Sequence, residues 1–135
     1  MNELETFAQD IFNAQPFSQF MGAKLTSIGT KEAELTLPIT DHLKQQHGFV
    51  HGGAISYLAD NALTFAGGVA LGGNALTSEF KINYLRPARG SHLIARAQAK
   101  AVGKRQAVCQ CEIYAVEDHV EKLCAIAQGT VVASS

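Results

Sequence analysis

The sequence predicts an α+β domain in which a curved antiparallel sheet wraps around one long central helix. Three observations carry this prediction. From Gly52 to Leu71 nearly every residue is apolar or small, with Ile55, Leu58, Ala59, Ala62, Phe65, Ala66 and Val69 on one helical face. A helix apolar nearly all round is one enclosed by its own protein. Beyond it lie alternating segments at about 75–86, 91–102, 105–116 and 120–133, separated by turn-forming residues. Before it, residues 24–40 read as two strands joined at Gly29-Thr30, with Ala33, Leu35, Leu37 and Ile39 alternating with polar neighbours.

The elements follow in order. Residues 3–14 place Leu4, Phe7, Ala8, Ile11 and Phe12 at helical spacing, with acids in the first turn. Pro16 ends that helix. Residues 41–51 are polar and without period, as in a loop. Gly72-Gly73-Asn74 closes the central helix. Pro87-Ala88-Arg89-Gly90, Gly103-Lys104 and Glu117-Asp118-His119 make the later turns, and strands this close in sequence pair most simply as an antiparallel meander. The 135 residues form one domain, 1–135. Its sheet cannot both cover the helix and close its own edges, and an open edge invites a second copy. The expectation is a homodimer with a continuous sheet, able to pair again into a homotetramer.

Composition narrows the function. Lys+Arg is 11 against Asp+Glu 12, which offers neither nucleic acid nor a membrane surface a basic face. Residues 1–12 carry Glu3, Glu5 and Asp10 and no Lys or Arg, unlike a secretory leader. The apolar stretch from Gly52 contains Asp60 and several glycines, so it reads as a core helix rather than a membrane span. Three cysteines make no disulfide framework, and Cys109 and Cys111 share one strand face as packed small residues. A cytoplasmic location is expected.

Within the buried helix Asp60 is the anomaly. A carboxylate in apolar surroundings is costly unless paired, and burial moves an acid toward the range of a general base. Ser56, Asp60 and Thr64 fall at i, i+4 and i+8, with Tyr57 and Asn61 alongside, forming one polar stripe. The alternative is a structural Asp bonded to nearby donors. Gly52 and Gly53 open the helix, where the first N–H groups lack internal partners and can hold negative charge; taken alone, the pair reads more readily as an ordinary Gly-containing turn. Eight residues from Gly52 to Asp60 are about 12 Å of helix rise. Either a substrate spans them or they act from opposite subunits of a dimer.

The remaining polar residues say less. His51 can brace the loop or merely cap the helix. His47 and His51 are four apart, but Gly48 between them argues against a helical metal pair, and no metal is expected. There is no G-x-S-x-G, no G-x-G-x-x-G and no P-loop. Arg86, Arg89, Lys104 and Arg105 lie in turns with Gly90 and Gly103, where cations and spare backbone N–H groups can bind phosphates or simply be solvated.

The run Gln45-x-x-Gly48-x-x-His51-Gly52-Gly53-x6-Asp60-x3-Thr64 resembles the active-site signature of hotdog-fold thioesterases, and Thr77 with Phe80-Lys81-Ile82-Asn83-Tyr84-Leu85-Arg86-Pro87-Ala88 resembles that family's next strand. The likeness spans about residues 20–132 and is closest to the phenylacetate-pathway, PaaI-like type. It implies a hotdog fold and an acyl-CoA thioesterase acting on a small aryl or medium-chain acyl group. In that scheme the Gly52 N–H polarises the thioester carbonyl, and Asp60 of the other subunit attacks it or activates water. Gln45 orients the thioester, Thr64 and Thr77 position the water, and His51 buttresses the loop. Gly53 and the turns holding Arg86, Pro87, Arg89, Gly90, Lys104 and Arg105 meet CoA, which enters as substrate; no cofactor is implied. Gln45 with Thr64 fits the pattern in which the acid is Glu, whereas here it is Asp, so nucleophile and base both stay open. Two other readings stand beside this one: a non-catalytic acyl-CoA-binding module, and a hydroxyacyl-thioester dehydratase, whose Asp-His pair fits His51 and Asp60 poorly.

Overall fold

The computed structural model describes residues 1–134. Its elements are α1 (Glu3–Asn13), α2 (Pro16–Met21), β1 (Lys24–Ile28), β2 (Glu32–Pro38), a 3-10 turn (Asp41–Leu43), α3 (Gly52–Leu71), β3 (Ala75–Tyr84), β4 (His92–Val102), β5 (Gln106–Glu117) and β6 (Val120–Ala133). The strands form one six-stranded antiparallel sheet in the order β1-β2-β4-β5-β6-β3.

The core lies between α3 and the sheet. Leu35 and Leu37 on β2, Leu93, Ala95 and Ala97 on β4, Ala107 to Ile113 at alternate positions of β5, and Ala125, Ala127 and Val131 on β6 are all buried. They meet Leu58, Ala59, Ala62, Leu63 and Ala66 of the helix. Much of this inner layer is alanine, so α3 lies close to the sheet. At the closest approach a side chain is excluded, since a Cβ on Gly67 would stand 2.6 Å from Cβ of Val131. Register shifts at Leu25/Ser27, Thr77/Glu79, Ala99/Ala101 and Ile113/Tyr114 add twist and bend the sheet around the helix.

Two sequence expectations change. The four-strand meander holds only for β4-β5-β6, because β3 pairs with β6 and not with β4. The chain leaves α3 at the sheet's edge, and residues 85–91 then cross to a slot between β2 and β5. That crossing is tied down by Leu85 N–H to Cys124 O, Ser91 N–H to Val116 O and Ile39 N–H to Ser91 O, at 2.8–2.9 Å. The first helix stops at Asn13, and Pro16 does not merely end it. Pro16 opens a second helix, α2, at a position where a missing N–H costs nothing.

Both sheet edges are open, β1 at one side and β3 at the other. β3 carries Leu76, 64% exposed, and Tyr84, 52% exposed, with Leu85 just beyond. Among the described residues no helix is long and apolar enough to cross a membrane.

Candidate active site

The N-terminus of α3 is built by a tight set of caps. Gln45 N–H donates to Phe49 O at 2.8 Å, Gly48 turns the chain back at φ 87°, and the Gln45 side chain accepts from His47 N–H at 2.5 Å. His51 is the N-cap, and its Nδ1 accepts the Gly53 N–H at 2.8 Å. The Tyr84 hydroxyl, reaching in from β3, donates to the Gly52 carbonyl at 3.0 Å and pairs with Ser56 Oγ at 2.5 Å. The Gly52–Gly53 peptide is thereby held at both its oxygen and its N–H. Gly52 N–H itself has no hydrogen-bond partner among the described residues. Of the two glycine donors proposed from sequence, only Gly52 is left to meet a ligand. It opens on a cleft of about 400 Å3 with Gln45, Phe49, Tyr84 and Arg86.

Asp60 lies two turns further along the same helix, half-buried. Its Oδ1 is the one buried side-chain polar atom without a hydrogen-bond partner among the described residues. An unpaired buried acceptor costs about 1–3 kcal/mol, more if charged. Folding alone gives no reason to keep it. Asp60 opens on a different cleft of about 370 Å3, walled by Gln15, Phe17 and Ser18 on one side and by Tyr57, Asn61 and Thr64 on the other. Within one chain Gly52 and Asp60 therefore face separate openings.

Thr64 and Thr77 come together across α3 and β3, hydroxyls 2.5 Å apart. Thr64 also donates to the Asp60 carbonyl oxygen at 2.8 Å. Its single proton is thus directed to the backbone, and Thr77 supplies the proton between the two hydroxyls.

The polar stripe splits. Ser56, Asp60 and Thr64 do follow one line, but Tyr57 and Asn61 turn toward α2. Tyr57 donates to Ser18 at 2.6 Å, Ser18 to Gln15 at 2.6 Å, and Asn61 Nδ2 to Gln15 Oε1 at 2.9 Å. Burial raises the Tyr57 hydroxyl's pKa, partly offset by its bonds to Ser18 and Asn61. Sequence reading missed this cluster because α2, at six residues, is too short for its periodicity to show. Pro16 at a first helical position was the available signal. The role of Tyr84 was also missed, since nothing in a strand pattern shows that its hydroxyl reaches a helix.

The basic turns do not cluster within one chain. Arg86 and Arg89 sit at one end of β4, Lys104 and Arg105 at the other, about 35 Å apart for a strand of that length. Arg86, Pro87 and Arg89 line a hollow of about 270 Å3 that also meets Phe49. Arg89 pairs with Glu117 at 3.1 Å, and Lys122 and then Arg89 hold the Glu117 carboxyl below the usual carboxylate range. Of the two glycines, Gly103 does not offer the spare donor expected of it. Gly103 N–H bonds Gln106 O at 2.8 Å. Gly90 is required by packing, because at φ 129° a Cβ would stand 2.0 Å from Val116 O.

Burial pushes the Cys109 and Cys124 thiols up to about 11 and Cys111 to about 12, far from a reactive thiolate. Among the described residues no group of three His, Cys, Asp or Glu side chains is placed to hold a metal ion.

The family model for the thioesterase superfamily matches residues 47–122, from the loop before α3 through β5 into β6. The chain belongs to this superfamily. A 1,4-dihydroxy-2-naphthoyl-CoA hydrolase of Escherichia coli K12 is 30% identical over 107 residues, 78% of this chain and 76% of that protein. A solved thioesterase family protein from Silicibacter pomeroyi superposes with a TM-score of 0.91 at 32% identity, covering 96% of each chain. The PaaI protein of the E. coli phenylacetic acid degradation operon superposes with a TM-score of 0.88 at 26% identity, covering 98% of this chain and 94% of that one. The fold is the hotdog fold of this superfamily, and the chain is a PaaI-like thioester hydrolase.

Proposed function

We propose that this thioesterase hydrolyses acyl-CoA, with Asp60 of one subunit and the Gly52 N–H of another completing each site. The unpaired Oδ1 of Asp60 carries the reading. A buried carboxylate oxygen with a lone pair to spare suits either taking a proton from water or attacking a carbonyl carbon. In the first case the proton passes to Asp60, hydroxide adds to the carbonyl, and the oxyanion forms against Gly52 N–H. The C–S bond then breaks, and CoA leaves as the thiol with a proton returned from Asp60. In the second an Asp60 anhydride forms as the thiolate leaves, and water opens it to the acid.

Two copies are needed because eight residues of helix separate donor and acid, about 12 Å, and the two face different clefts. The open β3 edge, with Leu76, Tyr84 and Leu85 exposed, supports a homodimer through paired β3 strands, with a tetramer formed by pairing dimers. Gln45 at the Gly52 cleft would orient the thioester. Arg86 and Arg89 beside it would meet the CoA phosphates, and Lys104 and Arg105 would reach CoA only from the other subunit. The test is Asp60→Asn assayed against a panel of acyl-CoAs. Loss well beyond tenfold is expected, and hydrolysis surviving within about tenfold removes Asp60 from the mechanism.

A further inference from the structure

Gly52 and Asp60 open on separate clefts, and the ridge of α3 between them has no role so far. Between those two residues only Gly53, Ser56 and Tyr57 are not buried. Tyr57 turns aside to α2, where its hydroxyl donates to Ser18 at 2.6 Å. Ser56 is the side chain left on the ridge, midway between Gly52 and Asp60, with about 6 Å of helix rise to each. It lines neither cleft. The Tyr84 hydroxyl gives its proton to the Gly52 carbonyl, so Ser56 is the donor in its 2.5 Å pair with Tyr84. That bond holds the Ser56 hydroxyl against its own subunit.

We infer that Ser56 is the spacer between the α3 helices of two subunits, and that its small side chain sets the gap between Gly52 and the partner's Asp60. The inference rests on the two-subunit site proposed above. If Gly52 of each subunit faces Asp60 of the partner subunit across a two-fold axis, the two α3 helices run antiparallel. The residue midway between Gly52 and Asp60 then pairs with itself, so Ser56 meets Ser56 of the partner subunit. Along two straight segments related by a two-fold axis, the paired midpoints are never farther apart than the paired ends. Ends near enough to act on one carbonyl therefore bring the two Ser56 residues together. Side chains at a helix contact set how closely the helices approach. A larger group at position 56 parts the helices at the axis and widens both sites at once, and a misplacement of about 1 Å can cost about a hundredfold in rate. Ser56 acts through this spacing rather than on the substrate, which makes it a positioning residue.

The experiment has two parts, both on the full chain. Ser56→Cys is treated with a short bifunctional maleimide. A cross-linked dimer is expected, and the native thiols, all buried, should stay silent. Thr26→Cys, on the far edge strand β1, should give no cross-link. Steady-state kinetics then follow size at position 56, with benzoyl-CoA and hexanoyl-CoA as substrates. Ser56→Ala gives up the bond to Tyr84 and adds no bulk, and should lower kcat about threefold, the scale of one partly exposed hydrogen bond. Ser56→Leu should lower kcat about a hundredfold with KM within about threefold, and should still sediment as a dimer. No cross-link at position 56, a Ser56→Leu variant as active as Ser56→Ala, or a rise in KM with kcat kept would each overturn the spacer. Should Ser56→Leu not fold or not associate, Ser56→Thr, one methyl larger, is read by the same criteria with an expected loss of about tenfold. Asp60→Asn of full activity beside a cross-linked Ser56→Cys would overturn hydrolysis at Asp60 and keep Ser56 at the axis. An inactive Asp60→Asn without a cross-link at position 56 would do the reverse.

Discussion

The Thr64 and Thr77 hydroxyls meet at 2.5 Å and tie α3, one turn beyond Asp60, to the edge strand β3. Thr64 donates onward to the Asp60 carbonyl at 2.8 Å, so the chain of donors runs from Thr77 through Thr64 to the backbone that carries the acid. Valine keeps the shape of threonine and removes the hydroxyl. Thr64→Val and Thr77→Val should each lower stability by about 1 kcal/mol. Their double variant should show a coupling of at least about 0.5 kcal/mol, measured by urea unfolding. Additive losses would mean that the two hydroxyls act apart.

His51 caps α3 through Nδ1 and the Gly53 N–H. Removing a side-chain N-cap costs about 0.5–2 kcal/mol. His51→Ala should fall in that range by thermal or urea unfolding, and His51→Asn should recover most of the loss because an amide oxygen can reach the same N–H. A His51→Asn variant as unstable as His51→Ala would point to the loop contacts of the ring instead of the cap.

The long helix was legible because twenty nearly apolar residues between Gly52 and Leu71 admit few other readings, and Asp60 stood out against that background. The strand segments were legible for the same reason: inward residues such as Leu35, Leu37, Cys109 and Cys111 alternate cleanly. Strand order was not. Ala75–Tyr84 carries the same kind of alternation whether it pairs with β4 or β6, and the pairing is decided by a crossing at 85–91 whose bonds are to backbone. Arg86 and Arg105 lie in consecutive turns of the sequence, yet the strand between them carries them to opposite ends of the sheet. The Gln15, Ser18, Tyr57 and Asn61 cluster joins residues more than 35 positions apart, which no local pattern reports.

The thiols make a pH prediction. Burial raises Cys109 and Cys124 from 9.0 to about 11 and Cys111 from 9.0 to about 12. In the unfolded chain each loses its proton near its ordinary value, so between pH 9 and about 12 the unfolded state binds fewer protons than the fold. Stability from this source is complete below pH 9 and is lost as pH rises through the folded values. Urea midpoints should fall across that window, less so in a Cys109→Ala, Cys124→Ala variant. A thiol reagent at pH 8 should label the three cysteines only after unfolding; rapid labelling of the folded protein would show that the sheet opens.

Tyr84 braces the Gly52 end of the proposed site. Its hydroxyl holds the Gly52 carbonyl at 3.0 Å and Ser56 at 2.5 Å, and its ring lies where a side chain on Gly52 would stand, with Cζ 3.3 Å from the built Cβ. Tyr84→Phe keeps the ring and removes both bonds. Each is worth about 0.5–1.5 kcal/mol when fully formed, and the hydroxyl's partial exposure sets the expected stability loss near 1 kcal/mol. Gly52, whose carbonyl the hydroxyl holds, also carries the N–H proposed to meet the thioester carbonyl. A looser first turn should therefore lower kcat by about three- to tenfold while KM for acyl-CoA changes little, because the donor matters most as charge develops on the oxygen. Steady-state kinetics beside urea unfolding separates the outcomes: a loss of stability with kcat intact would confine Tyr84 to holding β3 against the helix, and a fall in kcat with KM steady would make it a positioning residue for Gly52.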